Sequence, residues 1–272
     1  MRLGRNRGSR GERTISASDQ WSAKQYTAFE AERTRPVRDL VAAIPTRPVK
    51  TAVDLGCGPG NSTEVLIGAF PGAKVTGLDN SPDMVAAARK RMPNTQFELA
   101  DLVSWNEPRP FDVILSNAVM QWVPDHASLF PRLIEKLRPG GSLAIQMPDN
   151  ADEPALRLMR EVAADGPWAG KLAGVARPAR QDAVWYYQLM KPLCTHVDLW
   201  RTTYFHVIAG GATGIVEWFK GSALRPLLTA LDEAEQKAFM DRYRTAVASA
   251  YRTMPDGTVL LPFPRLFIVA TR

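Results

Sequence analysis

The stretch Asp54-Leu55-Gly56-Cys57-Gly58-Pro59-Gly60 carries the densest chemical signal in the chain. Glycine at 56, 58 and 60 lets the backbone turn tightly and lets a ligand approach where a Cβ would clash. Taken alone, such a turn admits any nucleotide-like ligand. A dinucleotide site wants G-x-G-x-x-G. Here the third glycine comes one residue early, and Asn61 occupies the place that motif requires. The shorter spacing suits a nucleoside without a pyrophosphate. Two carboxylates extend the pattern. Asp79, adjoined by Asn80, ends a second apolar run, where it can accept hydrogen bonds from both hydroxyls of a ribose. Asp101, followed by Leu102, closes a third run, where a carboxylate can accept from an adenine amino group while a backbone N–H reads a ring nitrogen. Dehydrogenases share the first of these acids but not the second.

These groups converge only if they stand at the carboxyl ends of neighbouring strands. Apolar patterning predicts strands at 51–55, 74–78, 96–100, 112–116 and 142–146, with helices at 62–70, from Ser81 to about residue 92, and at 128–137. Ser81 as N-cap with Pro82 at the first helical position marks the second helix, and Arg138-Pro139-Gly140-Gly141 should break the third. Continuous apolar strands separated by helices imply a parallel sheet covered on both faces. Beyond residue 150, 151–193 reads as helical, 199–208 as a strand and 213–254 as helical. In that last helical stretch Asp232 and Glu235 form a capping box, and Phe239, Tyr243, Ala246 and Ala250 share a face. Residues 265–271 form a final strand. The expected fold is α/β, a Rossmann-like, seven-stranded, mostly parallel sheet with helices on both faces and a helical cap inserted near the C-terminal strands. Residues 1–20 read as a basic tail, 21–150 as the cofactor-binding core, and 151–272 as the cap with the last strands of the same domain. In open α/β sheets ligands bind outside the carboxyl ends of the strands, which such a cap would roof.

Residues 51–147 resemble the class I S-adenosylmethionine-dependent methyltransferases. The acidic glycine motif falls at 53–60, the ribose acid at Asp79 and the adenine acid at Asp101. The fourth strand falls at 111–117 and the fifth-strand turn at 137–141. The resemblance implies S-adenosyl-L-methionine as cofactor. Gly56, Gly58 and Gly60 would lie against its methionine part, Asn117 at the amino-acid end and Leu102 at the adenine, with Asp54 ordering the turn.

From Trp21 onward the chain also resembles a narrower group, the trans-aconitate methyltransferases. The likeness rests on Tyr26-x-x-Phe29-x-x-Glu32-Arg33-x-Arg35-Pro36, on 120–126 (Met-Gln-Trp-Val-Pro-Asp-His) and on 146–150 (Gln-Met-Pro-Asp-Asn). It continues in Asp198-x-Trp200-Arg201-Thr202-Thr203-Tyr204, in 218–221, in Leu224-Arg225-Pro226 and in 263–269. The chain departs from that group in its N-terminal extension and in 163–183. This resemblance implies a monomethyl ester formed on one carboxylate of trans-aconitate.

The residues bear on the acceptor independently. Enzymes that methylate amide or base nitrogens commonly carry Asn/Asp-Pro-Pro-aromatic after the fourth strand, whereas 116–122 read Ser-Asn-Ala-Val-Met-Gln-Trp. A tricarboxylate is already ionised near neutral pH, since carboxyl pKa values lie around 4. No general base and no catalytic residue in that sense is therefore expected, and the work is positioning. Non-reacting carboxylates suit arginine forks, so Arg33, Arg225 and Arg265 are the candidate anchors. Trp122, Tyr204, His206 and Trp218 are the candidate walls and hydrogen-bond donors. Arg225, preceding Pro226, is expected outside helical conformation.

Composition sets the outer bounds. Hydrophobic content of 45% and charged content of 23% are those of an ordinary globular chain. No apolar run approaches the ~20 residues of a membrane span, and two cysteines fit a reducing, cytoplasmic setting. Of the net charge of +6, residues 1–14 hold +4, with five arginines against Glu12. The excess therefore lies in a tail and not on a folded face, which argues against nucleic acid. Three scattered histidines suggest no metal, and no obligate protein partner is indicated. Two alternatives stand beside trans-aconitate esterification. They are a methyltransferase of the same fold acting on another small carboxylic acid, and a non-catalytic cofactor-binding protein.

Overall fold

The computed structural model describes residues 30–175 and 180–272, with side chains from Thr34 onward. The basic tail, the expected start near Trp21 and the side chain of Arg33 lie outside the described residues. Seven strands form one sheet: β1 (Thr51–Leu55), β2 (Lys74–Asp79), β3 (Gln96–Leu99), β4 (Phe111–Asn117), β5 (Leu137–Pro148), β6 (His196–Ala209) and β7 (Thr258–Thr271). Their spatial order is β3-β2-β1-β4-β5-β7-β6. The first five pair in parallel, and β7 runs antiparallel to both β5 and β6. The order reverses direction at β1 and β4, so their carboxyl ends flank the crevice in which open α/β sheets hold ligands.

Successive side chains of a strand point to opposite faces, and each central strand is apolar on both. On one face Ala52, Leu115, Ala144 and Phe267 pack against Val37 and Leu40 of α1 (Glu30–Ala42), Ile44 just after it, and Leu66 of α2 (Asn61–Ala69). On the other, Val53, Ile114, Ile145 and Ile268 meet Phe130 and Leu133 of α4 (His126–Glu135) and Tyr186 of α7 (Ala183–Met190). Between them in sequence, α3 (Pro82–Arg91) closes a small cluster of Val85 and Ala88 with Phe97 and Cys57. Its start is as expected: Ser81 accepts from the Met84 N–H, and Pro82 follows.

A separate apolar cluster lies on the outer halves of β6 and β7. There Ile208, Val259, Leu261 and Phe263 pack against α5 (Pro154–Ala164), α8 (Gly211–Lys220) and α10 (Glu233–Ala250). Two short helices, α6 (Ala169–Leu172) and α9 (Arg225–Thr229), complete this part. The capping box of α10 is present, with Glu235 N–H donating to Asp232 Oδ1 and Asp232 N–H to Glu235 Oε2. Its buried stripe is Phe239, Tyr243 and Val247. Ala246 is only half-buried and Ala250 is exposed, because the bulky residues at spacings of four dictate which face turns inward.

Two expectations need correction. The helix expected at 128–137 ends earlier, at Glu135, and the strand expected at 142–146 begins earlier: β5 starts at Leu137 and includes Arg138-Pro139-Gly140-Gly141. A bulge at Phe111/Val113 takes up the mismatch, and a Cβ on Gly141 would lie 2.9 Å from Arg138 O and 3.0 Å from Phe111 O. The glycine thus permits backbone contact there, and a bulge tolerates proline. Arg225 does mark an element boundary, but as the first residue of helical α9, with Pro226 in the first turn where a missing N–H costs nothing.

Candidate functional site

The glycine turn leaves β1 and enters α2. Gly56, Gly58 and Gly60 have φ values of +72°, +54° and +94°, conformations that a side chain disfavours. Their surroundings differ. A Cβ on Gly56 would fall 2.3 Å from the Val119 side chain, whereas one on Gly58 would meet nothing within 4 Å. Gly56 is therefore bare for packing, and Gly58 is bare toward open space.

Asp54 is wholly buried at the end of β1. Its Oδ2 accepts from both the Ser62 and the Thr63 hydroxyls at 2.7 Å, which ties the first turn of α2 to the strand. Its Oδ1 has no partner. Burial raises this carboxyl to about 6, against the two hydroxyl bonds that lower it. Asp79, at the end of β2, accepts from Gly58 N–H through Oδ2 and from Ser81 N–H through Oδ1, each at 2.9 Å. Burial raises its pKa too. Each of its oxygens keeps lone-pair capacity, so the carboxylate both shapes the turn and can receive a further donor. Asn80 beside it is exposed.

Beyond β3, Asp101 turns back on its own loop and accepts from Val103 N–H at 2.7 Å. The loop is held from α4. Arg132 Nη2 donates to the carbonyls of Val103 at 2.6 Å and Leu102 at 3.3 Å, and Lys136 reaches Asn106 and the Glu107 carbonyl. Sequence reasoning missed Ser62, Thr63 and Arg132. The hydroxyl pair two positions past the last glycine was the available sign for the first two.

At the carboxyl ends of β4 and β5, Asn117 and Gln146 are register partners and both are buried. Arg265 Nη1 donates to Gln146 Oε1 at 3.1 Å, which turns the Gln146 Nε2 donor away from it. Neither Gln146 Nε2 nor Asn117 Oδ1 has a hydrogen-bond partner. One buried donor and one buried acceptor therefore stand side by side, a pairing that suits a group carrying both an ammonium and a carboxylate.

Arg265 continues into an aromatic group. Its guanidinium lies 4.8 Å from the Phe263 ring centroid, and the His206 imidazole stacks on Trp218 at 4.6 Å and lies 5.4 Å from Phe263. Three of the expected acceptor-site residues, Arg265, His206 and Trp218, are thus brought together. Tyr204 shares the buried face of β6 with His206, but its hydroxyl is committed to Asp39 on α1 at 2.6 Å. Trp122 lies in the 3-10 turn directly after β4, half-buried, and Arg225 is half-buried at the start of α9. Among the described residues no group of three or more His, Cys, Asp or Glu could hold a metal, and no helix is long and apolar enough to cross a membrane.

Sheet order, reversal point and glycine turn with its acidic partner define a Rossmann-like methyltransferase. Residues 52–141 match the family model described as a methyltransferase domain. Among solved structures, the YcgJ protein of Bacillus subtilis aligns with a TM-score of 0.57 at 12% identity, covering 88% of this chain and 98% of that one. A Haemonchus contortus phosphoethanolamine N-methyltransferase 2 in complex with S-adenosyl-L-methionine aligns at 0.51 and 15% identity, covering 87% of this chain and 52% of that one. Both likenesses concern the fold. Curated relatives are far more similar: the trans-aconitate 2-methyltransferase of Methylobacterium nodulans is 52% identical over 254 residues, 93% of this chain and 98% of its own length. That of Azoarcus sp. is 50% identical over 253 residues, 93% and 99% respectively. The chain belongs to the trans-aconitate 2-methyltransferase family.

Proposed function

We propose that this protein transfers a methyl group from S-adenosyl-L-methionine to one carboxylate of trans-aconitate, giving a monomethyl ester. The observation that carries the reading is the extent of the family likeness. Identity near 50% spans 254 residues, and so includes the strands and helices after residue 150 that bring Arg265, His206 and Trp218 together. In this reading those helices cap the carboxyl ends of the strands and make one domain with the core.

The residues present suit the cofactor. Gly58 leaves open space beside backbone, Asp79 has acceptor capacity for ribose hydroxyls, and the Asp101–Leu102 loop is available to adenine. Asn117 Oδ1, lacking a partner, can accept from the methionine ammonium. When bound, S-adenosyl-L-methionine supplies an electrophilic methyl on a sulfonium and leaves as S-adenosylhomocysteine.

The chain's own task is to bind, orient and exclude water. The acceptor carboxylate is ionised at neutral pH, so no residue need remove a proton. Holding it in line with the methyl accounts for roughly 7–11 kcal/mol of barrier lowering in well-oriented systems. A cation directly on the reacting carboxylate would stabilise the ground state. Arginine forks therefore belong on the non-reacting carboxylates, with Arg265 as the buried anchor and Arg33 and Arg225 as further ones. The aromatic wall of His206, Trp218 and Phe263, with Trp122, keeps the surroundings dry, and Tyr204 holds α1 against β6.

The test is transfer from labelled S-adenosyl-L-methionine to trans-aconitate, with the ester identified by mass spectrometry against synthetic standards. Ester formation is expected. Transfer only to other small acids, or calorimetric cofactor binding with no transfer to any acid, would overturn the assignment.

A further inference from the structure

An arginine-bearing cavity lies beside the segment that follows β4. It has a volume of about 170 Å³ and is lined by Gln121, His126, Arg180, Gln181 and Trp185, among others. A single water needs only about 10–15 Å³ on this measure, so the cavity admits a carboxylate arm. One wall follows the carboxyl end of β4: Asn117 ends that strand, Val119 covers Gly56, and Gln121 Nε2 donates to Ala118 O at 2.7 Å. The other wall is tied to the carboxyl end of β5 through Asp149, which pairs with Arg180 and whose N–H donates to Pro264 O at 2.8 Å. The lining is thus attached to the carboxyl ends of β4 and β5, and the glycine turn leaves the carboxyl end of the neighbouring β1.

Its polar groups are mostly committed. His126 Nε2 faces the Met120 carbonyl at 2.9 Å, so it carries the proton, and Nδ1 accepts from the Tyr186 hydroxyl at 2.7 Å. Burial lowers the imidazole's pKa, which keeps it neutral. Asp125 spends its carboxylate on Ser128 N–H at the start of α4. Gln121 Oε1 is buried without a partner. Arg180 is the cation in the lining. One side of its guanidinium is occupied by Asp149 and Nη1 by the Gln181 carbonyl, and five N–H donors leave a surplus. Asp149 is shared with Arg201, at 3.0 Å on the exposed side.

We propose that Arg180 is a specificity-determining residue that receives one non-reacting carboxylate of the acid acceptor, with Asp149 as its positioning residue. This rests on the carboxyl-methyltransferase reading and adds to it which acids are accepted. A planar guanidinium already held on one edge loses little freedom on meeting a carboxylate.

The experiment compares wild type, Arg180→Ala and Arg201→Ala on trans-aconitate and on the two dicarboxylates that each lack one of its non-reacting carboxylates. Arg180→Ala should raise KM for trans-aconitate roughly tenfold or more, with kcat and the Kd for S-adenosylhomocysteine within about twofold. On one of the two dicarboxylates the same substitution should have no effect, because the partner carboxylate is already gone. Arg201→Ala should change KM little, since that side chain stays in solvent. Equal KM penalties on all three acids, no penalty on any, or a parallel loss of S-adenosylhomocysteine affinity would each overturn the proposal. If wild type itself esterifies none of these acids, it is the underlying functional reading that fails, and the two failures are distinguishable.

Discussion

Asp79 and Gly58 are joined by a hydrogen bond of 2.9 Å from the glycine N–H to Oδ2 of the carboxylate. The carboxylate at the end of β2, which we propose receives the cofactor ribose, therefore also sets the shape of the turn after β1. A carboxylate with two backbone donors and spare lone pairs is well suited to receive hydroxyls, and each charge-assisted bond contributes about 1.5–3 kcal/mol.

Asp79→Asn keeps the size but replaces one acceptor oxygen with a donor that opposes a backbone N–H. The Kd for S-adenosylhomocysteine is expected to rise roughly 10- to 100-fold, read by calorimetry, while KM for the acid acceptor stays within about twofold. A larger effect on the acid than on the cofactor would contradict the ribose assignment.

Gly56→Ala and Gly58→Ala should fail in different ways. The first places a Cβ 2.3 Å from Val119, so left-handed strain and overpacking together should cost about 2–5 kcal/mol of stability. The second meets no protein atom within 4 Å and should cost only about 1–2 kcal/mol for its backbone conformation. Its methyl would instead occupy space open to a ligand. Thermal melts with and without S-adenosylhomocysteine check this: Gly58→Ala should melt near wild type but lose most of the ligand-induced shift.

What the residues disclosed in advance follows a physical divide. The glycine turn, the cap at Ser81 and the capping box at Asp232 and Glu235 depend on neighbours a few positions apart, and each is visible as a spacing. The Arg-Pro-Gly-Gly segment marked the end of the preceding helix but hid the start of β5, because its breaker residues are absorbed by a bulge against the opposing strand. Contacts between distant segments left no local trace. Tyr204 meets Asp39 across 165 positions and Arg265 meets Gln146 across 119. A tyrosine counted among the acceptor's hydrogen-bond donors is thus engaged by α1, and a glutamine read only as part of a motif proves to be a buried donor beside Asn117. The acid of the glycine motif was legible as a turn-former, but its partners Ser62 and Thr63 and its unpartnered Oδ1 were not.

Asp54 gives the stability curve a defined sign. Its carboxyl is raised from the ordinary 3.8 to about 6 by burial, so between those values the folded protein holds a proton that the unfolded chain has released. Stability contributed by this group is fully present below about pH 3.8, falls as pH rises through about 6, and is constant above that. The whole effect is on the order of 3 kcal/mol. Asp54→Asn keeps an acceptor for Ser62 and Thr63 and removes the titration. The difference in unfolding free energy between variant and wild type, followed by urea melts from pH 4 to 7, should shift progressively in favour of the variant. A pH-independent difference would show that the carboxyl does not titrate there.

Arg132 provides a test of the loop proposed to receive adenine. It projects from α4 and donates to Val103 O at 2.6 Å and Leu102 O at 3.3 Å, the loop that follows Asp101. In Arg132→Ala both carbonyls revert to water and the loop samples more conformations, so part of the cofactor's binding energy is spent on ordering it. The Kd for S-adenosylhomocysteine should rise about three- to tenfold, with faster amide exchange at 101–105. KM for the acid should stay within about twofold, because Gln146 and Arg265 are positioned by β5 and β7. Arg132→Lys retains one donor near Val103 O and should recover part of the affinity, as a lost point of attachment predicts and a general destabilisation of α4 does not. Unchanged affinity in Arg132→Ala would mean that the loop is ordered without this clamp.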